Sequence, residues 1–156
     1  MIQRIQTAYL LIVAGLFVSL LFLPLAVIQS GGALYTFNVT GLNSLSTQPV
    51  ELVYPTWSLM ALAAIVALAS FFIIFMYKKR ILQVRLCVFN TIIIIGFCAL
   101  FGFYLWQFGK SPELPDMKIN MKIWAAFPLI SIILNYLAIR NIGADEALVR
   151  SLERLR

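Results

Sequence analysis

The sequence predicts an all-α membrane protein, a four-transmembrane-helix bundle, from three observations. Four apolar blocks contain none of the twelve Lys and Arg or the six Asp and Glu residues. Each block has about 17 to 21 residues, which at roughly 1.5 Å per residue matches the bilayer core of about 30 Å. A hydrophobic content of 62% and a mean hydropathy of +0.95 leave little of the 156 residues for a water-soluble domain. The predicted helices cover residues 8–28, 57–77, 86–106 and 123–139, and the chain forms one domain over residues 1–156.

The basic residues predict the orientation of these helices. Nine of the twelve Lys and Arg lie on the side of the bundle that holds both chain ends, and Lys110, Lys118 and Lys122 lie on the other side. Lys and Arg near helix ends resist translocation, so the richer side faces the cytoplasm. We therefore expect both termini to be cytoplasmic. Because the basic residues lie at helix ends, we expect the lipid bilayer and not nucleic acid as their partner.

The segment between the first two helices predicts a small extracytoplasmic β-hairpin. Residues 34–40 alternate apolar and polar side chains, with β-branched and aromatic types among them, and residues 50–54 could pair with them. The Gly31-Gly32 pair and the polar residues 41–49 supply turns. An isolated hairpin is only marginally stable, so it must lean on the helices or on a partner.

Small residues predict where the helices pack. Ala63 and Ala67 give helix two a small face, and Gly96 and Gly102 do the same for helix three. Small side chains let the backbones of membrane helices approach closely. Helices two and three are joined by a short basic turn and must be antiparallel neighbours. The outer loop 107–122, with its prolines and mixed charges, reads as an irregular connection.

The C-terminal residues 144–156 predict a separate amphipathic cytoplasmic helix. Apolar residues at helical spacing alternate with arginines there, and such a helix could lie on the membrane or bind a partner. A solvated helix that merely finishes the chain is the alternative. The residues expected to make the contact are Leu148, Leu152, Leu155, Arg150 and Arg154.

Two asparagines inside the apolar blocks predict a polar clasp. Asn90 and Asn135 each lie five residues from a cytoplasmic arginine, so both sit roughly 7 to 8 Å below that interface. They could hydrogen-bond across helices three and four, which is worth about 0.6 kcal/mol and at most about 2. A ligand site is the alternative interpretation.

The sequence offers no catalytic, cofactor or metal site. It has no histidine, and its two cysteines, Cys87 and Cys98, lie eleven positions apart on one helix and cannot bridge. No ionisable residue occurs within the blocks, which argues against a proton-coupled transporter or a redox carrier. An enzyme would need Glu51, Glu113 or Asp116 drawn into one pocket.

Both ends of the chain resemble one family. The opening residues 1–11 (MIQRIQTAYLL) and the closing residues 145–156 (DEALVRSLERLR) are similar to an uncharacterised family of four-helix inner-membrane proteins from Bacteroidota, domain-of-unknown-function family 4293. The resemblance implies a multi-pass protein of the bacterial inner membrane. It implies no catalytic or binding residue, because the function of that family is unknown.

Two functional hypotheses follow from these patterns. The first is a non-enzymatic accessory or scaffolding subunit of a larger membrane complex, with one or more membrane proteins as partners. The alternative is a small transporter or lipid-binding protein, with an apolar cavity bordered by Ala63, Ala67 and Gly96.

Overall fold

The protein combines a helix bundle with a small β-sheet. The computed structural model describes residues 3–45, 52–76, 79–111 and 117–154, and this part of the chain contains four α-helices, a short 3-10 turn and five strands. The helices are α1 Gln3–Leu20, α2 Trp57–Phe75, α3 Arg80–Lys110 and α4 Phe127–Arg154, with the 3-10 turn at Ile123–Ala126 before α4. The strands are β1 Ala26–Ser30, β2 Ala33–Phe37, β3 Gly41–Ser44, β4 Leu52–Pro55 and β5 Lys118–Met121.

The four helices form a ring in chain order. α1 packs against α2 and α4, and α3 packs against the same two helices. The sheet covers the end of the ring at which α2 begins and α3 ends, which we call the sheet end. The opposite end, where Arg80, Arg85 and Arg140 lie, is the basic end. The bundle therefore has one end capped by strands and one end marked by positive charge.

Three helical segments are long and apolar enough to cross a membrane: Trp57–Phe75, Arg80–Lys110 and Ile123–Val149. This confirms a chain rich in membrane-compatible helices. The apolar part of α1, Ile5–Leu20, is shorter and would cover about 24 Å of the roughly 30 Å core.

The predicted end of the first helix, residue 28, is wrong. α1 ends at Leu20, and residues 26–30 form β1. Pro24 has no backbone N–H to donate, and the chain turns before it. The Leu25 N–H then donates to the carbonyl of Phe37 at 2.8 Å, which starts the pairing with β2.

The predicted two-stranded hairpin is also wrong, because the strands form a five-stranded antiparallel sheet in the order β4-β3-β2-β1-β5. β2 pairs with β1 and β3, so the segment at residues 52–55 contacts β3 instead. Gly31 and Gly32 have φ angles of 56° and 85°, which a two-residue hairpin turn needs and glycine provides without strain. The residues expected to be a turn, 41–44, are β3.

The outer loop contributes structure that its composition does not suggest. α3 continues to Lys110, and Lys118–Met121 form β5 at the edge of the sheet. β5 pairs antiparallel with β1, with Ile28 opposite Ile119. The prediction of an irregular connection is wrong for these residues, because a partner strand far away in sequence satisfies their backbone groups.

The fourth helix and the predicted separate tail are one helix. α4 runs without a break from Phe127 to Arg154. Gly143 lies within it, and a glycine costs a helix only about 1 kcal/mol, so it does not interrupt this one. Pro128 is the second residue of α4, where no intrahelical N–H bond is lost. The separation of a spanning helix from a tail is therefore corrected.

The buried apolar residues form two clusters. The sheet-side cluster joins the bundle to the inner face of the sheet and includes Phe17, Phe37 and Phe97. Phe37 lies between Phe101, with ring centroids 5.6 Å apart, and Phe108, with ring centroids 5.2 Å apart. The basic-side cluster contains Leu10, Ile73, Cys87, Ala138 and Ile142. The sheet is thus anchored on α3 by aromatic packing, and a second core closes the basic end.

Candidate functional site

A layer of uncharged polar side chains separates the two apolar clusters. On α2, Ser70 lies between Ala67 of the sheet-side cluster and Ile73 of the basic-side cluster. On α3, Asn90 lies between Ile94 and Cys87 of the same two clusters. On α4, Ser131 and Asn135 are one turn apart on the inner face. We call Ser70, Asn90, Ser131 and Asn135 the polar layer, and all four have zero exposed surface.

Only part of the polar layer is hydrogen-bonded. The Asn90 amide Nδ2 donates to the Ser70 hydroxyl at 2.9 Å, which ties α3 to α2. Within the described part of the chain, Asn90 Oδ1, Ser131 Oγ and both amide atoms of Asn135 have no hydrogen-bond partner. Buried polar atoms are normally paired, so this layer stands out from the apolar packing around it.

The predicted clasp between Asn90 and Asn135 is not formed. Both side chains are buried, as a clasp requires, but Asn90 donates to α2 instead of to α4. The sequence placed Ser70 on the small face of helix two, but neither Ser70 nor Ser131 was predicted to contribute a polar group, because serine is unremarkable in an apolar block. For Ser131 the sequence did offer a signal, because Ser131 and Asn135 are four residues apart and therefore share a helix face. The layer can donate and accept hydrogen bonds but carries no group that titrates.

The small residues of α2 and α3 have different environments. Ala63 and Ala67 are buried in the sheet-side cluster, so they do line the inside of the bundle. Ala63 has zero exposed surface, and such a side chain borders no cavity wide enough for water. The groove expected between Ala63, Ala67 and Gly96 is therefore not formed.

Gly96 and Gly102 do not pack inside this bundle. Both are exposed, and among the described residues no atom of another element lies within 4 Å of where their Cβ would be. They lie on an outward face with Ala99 at its centre, because the three residues follow at intervals of three along the helix. Larger exposed side chains flank this notch, and they are Ile92, Ile95, Phe103 and Trp106. We call these seven residues the α3 notch face.

The basic end is organised by Asp145 of α4. The Gln6 amide Nε2 donates to the Asp145 carboxylate Oδ2 at 2.7 Å, which ties α1 to α4. The Arg80 guanidinium donates to the Asp145 backbone carbonyl at a longer 3.4 Å, linking α3 to the same turn. This role of Asp145 was not predicted, because residues 144–156 were expected to form a separate tail helix.

A groove lies beside this junction, between the start of α3 and the last part of α4. Its larger part has a volume of about 760 Å³ and is lined by Lys79, Arg80, Ile81, Leu82, Arg85, Glu146 and Val149. Its second part, of about 450 Å³, shares Arg80, Ile81, Arg85 and Glu146, and adds Val84, Gly143 and Ala147. We call this the basic groove.

The predicted contact residues of the tail lie at or beyond the end of α4. Leu148 is 57% exposed. Arg150, Leu152 and Arg154 fall within α4, but their side chains lie outside the described part, as does the whole of Leu155. Whether the tail contacts lipid or protein stays a prediction.

The acidic residues that an enzyme would use, Glu51, Glu113 and Asp116, lie outside the described residues. Within residues 3–45, 52–76, 79–111 and 117–154, no three His, Cys, Asp or Glu side chains are grouped so that they could hold a metal ion.

The chain belongs to the family described as Domain of unknown function (DUF4293), which matches residues 2–155. The match covers the helices, the sheet and both ends of the bundle, and it confirms the resemblance that the two ends of the sequence indicate. A comparison with curated proteins gives no match.

Proposed function

We propose that this protein is a non-enzymatic accessory or scaffolding subunit that binds another membrane protein through the α3 notch face. All four helices cross the membrane in this proposal, the basic end faces the cytoplasm, and the bacterial inner membrane is the location. The excess of Lys and Arg at the basic end supports the orientation. The short α1 is accommodated by local thinning of the bilayer or by its polar flanks.

The notch carries the proposal. Gly96, Ala99 and Gly102 lie on the outside of the ring, so no described part of this chain uses the close approach that small residues permit. An exposed helix backbone offers no particular advantage for contact with lipid tails. A second helix, in contrast, can pack closely along it and form van der Waals contacts. The bulky side chains above and below the notch would fix the angle at which that helix crosses. A partner helix is therefore the occupant that this surface fits best.

The sheet supplies a second exposed apolar surface. Residues paired across a sheet point to the same face, so Ile119 and Met121 continue the inner face that Ile28 and Ala26 form. Ile28 and Ala26 are fully buried, but Ile119 and Met121 are 38% and 62% exposed. The apolar inner face of the sheet therefore extends beyond the helices that cover it, as expected for a subunit whose partner reaches the sheet end.

The test is crosslinking in native membranes followed by affinity purification of the full-length protein. We expect a second membrane protein to co-purify with the wild-type protein in stoichiometric amount. The double variant Gly96→Leu, Gly102→Leu should no longer co-purify that partner. Gly15→Leu is the matched control, because Gly15 is also an exposed helical glycine with open space around its Cβ position. It should retain the partner.

Two results would contradict the proposal. One is recovery of the wild-type protein without any protein partner. The other is equal recovery of the partner with the notch variant and with wild type. Recovery of only a second copy of this chain would replace the accessory role with self-association.

A further inference from the structure

We propose that the basic groove binds the phosphate headgroup of an anionic phospholipid. This inference goes beyond the accessory role, because it concerns another surface of the protein and a different ligand. It holds or fails independently of whether the α3 notch face binds a partner.

Charge complementarity is the first argument. Among the described residues, Lys79, Arg80 and Arg85 line the groove together with one acid, Glu146, so this part of the lining carries three positive charges against one negative. The weak contact of Arg80 with the Asp145 carbonyl uses one of the five N–H donors of its guanidinium. Arginine and lysine at this density favour a phosphate, which accepts several charge-assisted hydrogen bonds at once.

The start of α3 adds to this field. The helix begins at Arg80, its first turn contains no acidic residue, and the Lys79 side chain does not cap it. The first-turn N–H groups and the positive end of the helix dipole therefore lie where Lys79, Arg80, Ile81 and Leu82 line the groove. An anion there is stabilised by backbone as well as by side chains.

The position along α3 indicates a membrane lipid. Residues 86–109 contain no charge, and at 1.5 Å per residue these 24 residues cover about 36 Å, slightly more than the bilayer core. Arg85 therefore lies at the edge of the hydrocarbon, and Arg80 lies about 7.5 Å further out. This is the level of lipid phosphates.

The apolar wall of the groove distinguishes a lipid from free phosphate. Ile81 and Leu82 are 47% and 37% exposed, and they share the lining with Val84 and Val149. A free phosphate ion would leave these side chains uncovered. A phospholipid would cover them with its glycerol backbone and the first carbons of its acyl chains while its phosphate contacts the arginines.

The test measures lipid retention by the full-length protein in detergent, using native mass spectrometry with phosphatidylglycerol or phosphatidylcholine added. We expect wild type to retain phosphatidylglycerol preferentially. Arg80→Gln with Arg85→Gln should weaken that binding about thirtyfold, since each basic residue near the surface contributes about a factor of five. Arg85→Gln alone, at an exposed position, should weaken it about fivefold.

The matched control is Lys118→Gln with Lys122→Gln, which removes two positive charges at the sheet end and should leave lipid retention unchanged. The proposal is overturned if the double arginine variant retains phosphatidylglycerol like wild type, or if the lysine control loses as much. It is also overturned if inorganic phosphate competes with phosphatidylglycerol at equal concentration, because the acyl chain would then contribute nothing.

Discussion

Replacing Asn135 with leucine should make the bundle more stable. The side chain has zero exposed surface, and neither of its amide atoms has a hydrogen-bond partner among the described residues. Burying an unpaired amide costs about 1–3 kcal/mol, and leucine keeps the branching while removing that cost. The bulkier methyl groups of leucine should strain the packing and offset about 1 kcal/mol of this gain. The expected net gain in the free energy of unfolding is about 0–2 kcal/mol.

The assay is reversible unfolding of the purified protein in mixed micelles with increasing dodecyl sulfate, followed by tryptophan fluorescence. Tyr136→Leu is the control, since Tyr136 is the next residue and is 61% exposed. It should change the free energy of unfolding by no more than about 0.5 kcal/mol. If Asn135→Leu instead destabilises the protein by about 1 kcal/mol or more, the amide is hydrogen-bonded in the folded protein and the reasoning fails.

Three further substitutions test other contacts in the same assay. Ser70→Ala should lower the free energy of unfolding by about 1–2 kcal/mol, because it leaves the Asn90 amide without its acceptor. An unchanged free energy of unfolding would show that this hydrogen bond is not formed. Phe37→Ala should lower the free energy of unfolding by about 3–5 kcal/mol. The control Leu34→Ala, at a partly exposed position on the same strand, should lower it by less than about 1 kcal/mol. Equal losses would mean that Phe37 does not anchor the sheet. Gly41→Ala should lower the free energy of unfolding by about 1–3 kcal/mol, because the added Cβ would lie 2.8 Å from the backbone oxygen of Tyr54. An unchanged midpoint of the unfolding transition would contradict that close approach.

The presence of membrane-compatible helices was predictable because charged residues flank the apolar blocks, but their bounds were not, since α1 ends before its block does and α4 continues past Arg140. α2 begins at Trp57 as predicted, and α3 contains the whole of the predicted span 86–106. The sheet was not predictable in the same way. β5 has only four residues, and its partner β1 lies some ninety residues earlier in the chain. Local alternation identifies a strand but gives no information about a partner so distant.

For the polar layer, burial could be predicted from the sequence but the hydrogen-bond partners could not. An asparagine in an uncharged block predicts burial, and both Asn90 and Asn135 are buried. Its partner depends on how each helix is rotated about its axis, and a sequence of mostly apolar side chains leaves that rotation open. Gly96 poses the same problem, because a small residue predicts a close approach without indicating whether the approaching helix belongs to the same chain.

The unbroken length of α3 couples the two ends of the molecule mechanically. Arg80 lines the basic groove, and Phe108, twenty-eight residues along the same helix, packs against Phe37 beneath the sheet. These points are about 42 Å apart on one rod that contains no proline. A tilt of about 5° at one end would displace the other by roughly 4 Å, nearly the spacing between neighbouring strands. Whatever occupies the groove at the basic end therefore contacts the same unbroken helix that packs under the sheet at the opposite end of the bundle.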